Sequence, residues 1–255
     1  MRITFLGTGS AMPAGERSQT GILLQSDGNT LLVDCGSGVL HALARTEGGY
    51  EGVDTLLLTH HHLDHVSDIM PLMKARWLAG EESLTVAGPE GTPELVRDLL
   101  DVHEYMQDRL GLTLRTVDPT AGDRRHEVAG FEVAAMETRH SMTCHAYRFE
   151  PPGGGPVFAF SGDSEAFEEL VAFADGAAVL AHDCSFPDGV DVSNHPTPTQ
   201  LGRTLAAAEA DIGRVYLTHL YPHTRGSHEE MLQSIGDHYD GDVRVARDGL
   251  SIDVA

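Results

Sequence analysis

Residues 56–68 read LLLTHHHLDHVSD. Together with Asp54 and Thr55, the leucines make a near-continuous apolar run over residues 54–59, the pattern of a fully buried strand. Four potential ligands follow in the order His-x-His-x-Asp-His: His60, His62, Asp64 and His65. A chain leaving a strand for a loop can turn all four onto one point, which a regular helix or strand would prevent. Imidazole and carboxylate together suit zinc and other borderline divalent ions. His61 is the spare residue of the run and is expected to point away. The bland alternative is a solvated His-rich turn. It is the weaker reading, because the loop is entered directly from a buried strand. One such cluster cannot fill two metals, so further ligands have to come from later in the chain.

Outward from this loop, strands and helices alternate with short turns between them. Residues 2–6 (RITFL) read as a strand ending in the Gly-rich turn Gly7-Thr8-Gly9-Ser10. Residues 21–26 and 30–34 flank Asp27-Gly28-Asn29 and predict a hairpin. Thr92-Pro93-Glu94 predicts a helix start, with Thr as cap and Pro at the first helical position, running to about Leu110. Strands follow near 113–117, 131–137, 145–150 and 156–161, then a helix near 165–174 and a strand over 177–182. Thr197-Pro198 opens another helix, through about Glu209, ahead of a strand at 214–218. Ser227 and Glu230 have capping-box spacing for a helix over 228–238, and strands near 243–246 and 250–254 close the chain. No repeat is present, and the Pro/Gly-rich stretch Pro151–Pro156 is short enough for a hairpin tip. With no linker, residues 1–255 are expected to form one domain of sheets covered by helices. Periodicity alone does not choose the topology.

Composition bounds the function. At 255 residues and 41% hydrophobic content the chain can bury one substantial core. No apolar run approaches the roughly 20 residues that span a bilayer. The opening MRITFLGTGS lacks the apolar stretch and cleavage site of a secretory signal. A cytoplasmic location without a membrane partner is therefore expected. Cys35, Cys144 and Cys184 are odd in number and widely spaced, which is no disulfide framework. Cys35 reads as a small buried hydrophobe; Cys144 and Cys184 adjoin candidate site segments and stay open. Net charge is −22, from 39 acidic against 17 basic residues, and Lys74 is the only lysine. Such a surface repels nucleic acid, whose binding relies on Lys and Arg displacing counterions. It also fits a halophilic source, where salt screens the repulsion. The expected result is a thermal midpoint that rises across a salt series; a fold equally stable at low salt removes the halophilic reading.

The His-x-His-x-Asp-His run resembles the metal motif of the metallo-β-lactamase superfamily, and the whole chain is similar to its ribonuclease Z-like branch, in a short form. That resemblance extends from RITFLGTGS to the closing strands. It implies an α/β fold, the four-layer αββα metallo-β-lactamase sandwich, with the metals at one edge. It also places the remaining ligands. His140 in Thr138-Arg139-His140-Ser141 matches the third motif, and Asp163 in Phe160-Ser161-Gly162-Asp163-Ser164 the bridging carboxylate. His219 in Tyr216-Leu217-Thr218-His219 ends another apolar strand. By resemblance, His60, His62 and His140 hold one metal; Asp64, His65 and His219 hold the other; Asp163 bridges. The cofactors implied are two divalent ions, zinc first, with manganese or iron as alternatives.

Two further segments resemble the branch. Ala181-His182-Asp183-Cys184-Ser185-Phe186 matches a loop carrying an acid, and Asn194-His195-Pro196-Thr197 a loop whose His pairs with it. A carboxylate beside an imidazole orients it and raises its pKa. A protonated His195 can stabilise developing phosphorane charge or protonate a leaving alkoxide. The branch usually has Glu where Asp183 stands, so the shorter acid has to reach farther. His145, His182 and His223 lie near motif segments and read as supporting or surface residues. His41, His103, His126, His228 and His238 have no motif support.

The resemblance implies catalysis by two close metals that lower the pKa of a bridging water, hold a phosphoryl oxygen and stabilise the leaving oxygen. Asp64 stands where the family uses a metal-bound carboxylate that also handles the nucleophile's proton. The His-x-Glu-x-Asp pattern of diiron redox members is absent. Phosphodiester hydrolysis is the expected reaction, on a phosphodiester or other small ester substrate. Transfer RNA 3′ processing is the runner-up, hydrolysis of a lactone or sulfate ester comes next, and a non-catalytic metal-binding module is last. Three features disfavour RNA. The family's Pro-x-Lys-x-Arg-Asn loop is replaced by Pro13-Ala14-Gly15-Glu16-Arg17-Ser18. About two dozen residues separate His140 from Asp163, leaving no room for a tRNA-gripping arm. The charge also opposes RNA. Members of the branch are often dimers, so a homodimer is a possible assembly.

Overall fold

A computed structural model describes residues 1–119, 125–190 and 192–254. The first sheet is built from β1 (Arg2–Gly7), β2 (Gly21–Ser26), β3 (Asn29–Val33), β4 (Thr55–Leu57), β5 (Ser83–Gly88) and β6 (Gly111–Thr116). The second holds β7 (His126–Val128), β8 (Phe131–Glu137), β9 (His145–Glu150), β10 (Val157–Phe160), β11 (Ala177–Asp183), β12 (Val215–Thr218) and β13 (Val243–Val245). The chain ends with β14 (Ser251–Asp253), which returns to the first sheet beside β1. The sheet orders are β14-β1-β2-β3-β4-β5-β6 and β13-β12-β11-β10-β9-β8-β7.

Alternation along the strands explains the layers. Ile3, Phe5, Ile22, Leu24, Val33 and Leu57 of the first sheet share one buried cluster with Val133, Tyr147, Phe149, Phe158, Ala181 and Tyr216 of the second. Side chains of opposite parity face outward under helices. Leu23, Leu32 and Leu56 pack with α1 (Val39–Leu43), the single turn α2 (Leu63–Val66), α3 (Ile69–Ala79) and α4 (Thr92–Val102). Ala159, Leu180 and Leu217 pack with α5 (Glu168–Phe173), α6 (Pro198–Ala207) and α7 (His228–Gly236). The result is the αββα sandwich that the resemblance implied.

Several boundaries differ from the sequence reading. The helix opened by Thr92 stops at Val102, because Met106 and Leu110 turn back into the outer core before β6 starts at Gly111. Its N-cap is Gly91 and Thr92 is already helical. Ser227 precedes α7 without a side-chain cap, whereas Gln200 Oε1 accepts from the Thr197 amide (2.9 Å) at the start of α6. The sequence reading passed over α3 and β5 altogether. In α3, Ile69, Leu72, Met73 and Arg76 are all buried, and Pro71 sits in the first turn, where its missing N–H costs nothing.

The topology positions the site. Strands β3, β4, β5 and β6 pair in parallel, as do β10, β11, β12 and β13. Parallel strands deliver the residues at their carboxyl ends to one edge. Asp34, His60, Asp163, Asp183 and His219 all lie at or within three residues of such an end.

Candidate metal centre

The histidine-rich run leaves β4 under tight control. Leu58 N still pairs with Ala87 O of β5 (2.8 Å). At Thr59 the backbone N–H and the hydroxyl both donate to Asp34, at 2.8 Å each. Asp34 Oδ2 also meets His65 Nδ1 at 2.7 Å, with both residues fully buried. Two backbone bonds fasten the run to neighbouring segments: Cys35 N, just after β3, to His65 O (2.8 Å) and Thr20 N, just before β2, to Asp64 O (3.2 Å). Gly36 makes that approach possible, since a Cβ there would lie 1.9 Å from the Asp64 carbonyl oxygen. Asp64 and His65 lie on the single helical turn α2, not on an irregular loop.

Later strand ends bring the other donors. The donor atoms of His60, His62, His140 and Asp163 fall within 4.8 Å of one another, as do those of Asp64, His65 and His219. Asp163 lies between the two groups. Its Oδ2 is 3.2 Å from His219 Nε2 and 3.7 Å from His60 Nε2, and its Oδ1 is 3.3 Å from His65 Nε2. His60 Nε2 and His140 Nε2 face His62 Nδ1 at 3.0 and 3.1 Å. His219 Nε2 is 3.1 Å from Asp64 Oδ2. His61 turns away and meets Thr92 Oγ1 at 2.8 Å.

Two buried atoms at the centre, His65 Nε2 and Asp163 Oδ1, face each other at 3.3 Å without hydrogen-bond geometry and have no other hydrogen-bond partner. Buried polar groups are normally satisfied, so this pair calls for a ligand. Five imidazoles and two carboxylates around one point form a donor set that fits a pair of borderline divalent cations. For His60, protonation points the same way. Burial, reinforced by the neighbouring His65, holds His60 well below the ordinary histidine value, in the neutral form that can coordinate. Burial opposes charge on His65, yet Asp163 and then Asp34 outweigh it and hold this imidazole well above its usual range. Burial raises Asp163, but His219, His65 and His60 overcome it and hold the carboxyl well below the usual range. Asp163 is thus held anionic, and a bound cation would take the place of the proton that His65 otherwise carries.

Asp183 and His195 meet beside this centre. Asp183 Oδ2 is 2.6 Å from His195 Nδ1. The shorter acid reaches because β11 carries it to the strand's last position. Ser185 Oγ donates to its Oδ1 (2.6 Å) and Ser164 N to its Oδ2 (3.2 Å). The His195 ring stacks on His219, with centroids 5.4 Å apart and planes at 16°. Burial lowers the His195 pKa, but the charge and hydrogen bond of Asp183 outweigh it and push the value up to about 9.

The remaining candidates take other places. Cys35, Cys144 and Cys184 are free and buried, and burial pushes each thiol well up, against a thiolate role. Cys144 Sγ lies within hydrogen-bond reach of His60 Nδ1, at 3.6 Å. His145 and His182 are buried and His223 is exposed beside Phe186. Sequence reasoning missed Asp34. Its signal was present: the buried run Leu31-Leu32-Val33 ends in Asp, as the β4 run ends in His60. Asp34 also takes φ 60, a left-handed conformation uncommon for a residue other than glycine. Because it orients His65 and the Thr59 turn, Asp34→Ala is expected to weaken metal affinity by roughly 10–100-fold. Chelator competition measures this.

The family model described as Anti-Pycsar protein Apyc1 matches residues 1–231. The probable metallo-hydrolase YhfI of Bacillus subtilis (strain 168) is 31% identical over 262 positions, covering 98% of both chains. Ribonuclease Z of Methanopyrus kandleri (strain AV19) is 30% identical over 287 positions, covering 98% of this chain and 96% of the relative. The crystal structure of the metallo-β-lactamase fold protein YhfI from Bacillus subtilis superimposes with a TM-score of 0.84 at 28% identity, over 99% of both chains. With its buried donor cluster and its near full-length match to a metallo-hydrolase, the chain belongs to the Apyc1 family, in the ribonuclease Z-like branch of the metallo-β-lactamase superfamily, and is a metal-dependent hydrolase.

Proposed function

We propose that the protein is a binuclear phosphodiesterase. The observation that carries this reading is the Asp183–His195 pair, at 2.6 Å, set against the face of His219. A carboxylate-supported imidazolium beside a metal centre has a clear use in phosphodiester cleavage, where an alkoxide leaves and needs a proton. In this reading His60, His62 and His140 hold one cation and Asp64, His65 and His219 the other, with Asp163 shared. Zinc suits this donor set best, and manganese or iron share its preferences. When bound, two such cations supply an activated water and neutralise phosphoryl charge. The chain's own residues do the rest. Asp64 accepts and holds a proton on its carboxylate, Asp183 fixes the His195 tautomer, and His195 delivers the proton to the leaving oxygen.

Metal analysis combined with hydrolysis of bis-p-nitrophenyl phosphate tests this. Two metals per chain and a chelator-sensitive activity are expected. Two bound metals with no phosphodiesterase activity would overturn it. Transfer RNA processing is the second reading, favoured by the ribonuclease Z relative. Against it, that alignment runs over 287 positions while this chain has 255 residues, so the relative carries segments absent here. Between His140 and Asp163 the described residues form only the β9–β10 hairpin with its tip at Pro151–Pro156. Incubation with precursor tRNA separates the two readings.

Among the described residues no helix is long and apolar enough to cross a membrane. The buried free thiols support a reducing, cytoplasmic setting, and the net charge of −22 supports a salt-rich one.

A further inference from the structure

A carboxylate outside both donor sets ties together the segments that carry three site residues. Glu165 lies two positions after Asp163. Its backbone N–H donates to Arg139 O (3.1 Å), immediately before His140. Its Oε1 accepts from the Asn194 N–H (3.2 Å), immediately before His195. The Asn194 carbonyl in turn accepts from His140 Nδ1 (3.3 Å), which leaves His140 Nε2 to face the donor cluster. Asn194 holds φ 68, in the left-handed region. Asparagine tolerates that conformation better than most residues, but it still needs surrounding contacts to hold it. A cleft of about 370 Å³ beside it is lined by Glu165, Val192, His195 and Arg203.

We propose that Glu165 is a positioning residue: by pinning the Asn194 amide, its carboxylate sets His195 beside the metal centre. The inference rests on the reading of His195 as the acid that protonates the leaving oxygen. A loosened His195 is costly because a misplacement of about 1 Å can lower a rate by about 10²-fold.

The test compares two diesters on the metal-loaded enzyme. Bis-p-nitrophenyl phosphate releases a phenolate that needs no proton; a dinucleotide releases an alkoxide that does. Glu165→Ala is expected to lower kcat on the dinucleotide by about 10²-fold, with bis-p-nitrophenyl phosphate within about 2-fold of the parent. Glu165→Gln keeps an accepting oxygen at the same reach and is expected to restore most of the loss. The double variant Glu165→Ala/His195→Ala is expected to be no slower than His195→Ala alone, because both act through one group. If Glu165→Ala does not fold, Glu165→Asp, which withdraws the carboxylate by one methylene, is expected to give the same substrate-selective loss. Equal losses on both diesters, or full additivity with His195→Ala, would overturn the proposal. If His195→Ala itself shows no preference between the diesters, the acid assignment fails. If it does and the Glu165 variants do not, only this inference fails.

Discussion

Asp163→Ala is expected to leave the protein with at most one bound metal per chain and to lower kcat/KM by about 10³-fold or more. The reason is its place between the two donor sets. Its Oδ2 lies 3.2 Å from His219 Nε2 and 3.7 Å from His60 Nε2, while its Oδ1 lies 3.3 Å from His65 Nε2. Every other candidate ligand belongs to one side of the centre. Losing Asp163 therefore weakens both sides at once and removes the negative charge that His65, His60 and His219 share. A loss of 10³-fold corresponds to about 4 kcal/mol of transition-state stabilisation, within what a two-metal clamp is asked to supply. Asp163→Asn separates charge from shape, since the amide keeps the volume and one acceptor oxygen. It is expected to retain the fold and to lose most of the metal. Elemental analysis and steady-state kinetics on the same preparations give the answer. Two tightly held metals and undiminished activity in Asp163→Ala would remove Asp163 from the bridging position.

How much of this was legible in the sequence follows from which interactions are local. The run from Leu56 to His65 carried its reading within a dozen residues: a buried strand, then polar donors of matched chemistry. Donors from distant strand ends were legible one at a time, as His140, Asp163 and His219 each close an apolar run or follow one closely. Their convergence was not, because it depends on two sheets facing each other with parallel strands ending at one edge. Asp34 escaped for a related reason. Its partners Thr59 and His65 are 25 and 31 positions away, and no spacing rule connects them. Helix α3 escaped because apolar and basic residues are spread around it and no single stripe stands out. The helix at Thr92 was overextended because nothing between Val102 and Leu110 forbids helix locally; burial of Met106 and Leu110 decides where it stops.

Removing the His195 imidazole is expected to have the other large effect, and of a different kind. His195→Ala is expected to lower kcat on a diester with an alkoxide leaving group by about 10²–10⁴-fold, the range of general-acid catalysis. Metal content stays at two per chain, because His195 stands outside the seven-residue donor set assigned to the cations. Asp183→Asn tests the same pair through pH. Burial alone lowers His195, and Asp183 reverses this, pushing it up to about 9. The direction of the pH effect follows. A raised pKa keeps His195 protonated through neutral pH, and the activity that depends on that proton is lost as pH rises through the raised value. Without the charge of Asp183, burial prevails and the proton leaves at lower pH. The alkaline limb of kcat is therefore expected to move down by more than about one pH unit in Asp183→Asn, since an opposite charge at this distance is worth one to three units. Substrates that release p-nitrophenolate are expected to show neither the loss nor the moved limb, because their leaving group needs no proton. An alkaline limb that stays in place in Asp183→Asn, with metal content intact, would mean that the 2.6 Å contact holds the loop without setting the acid.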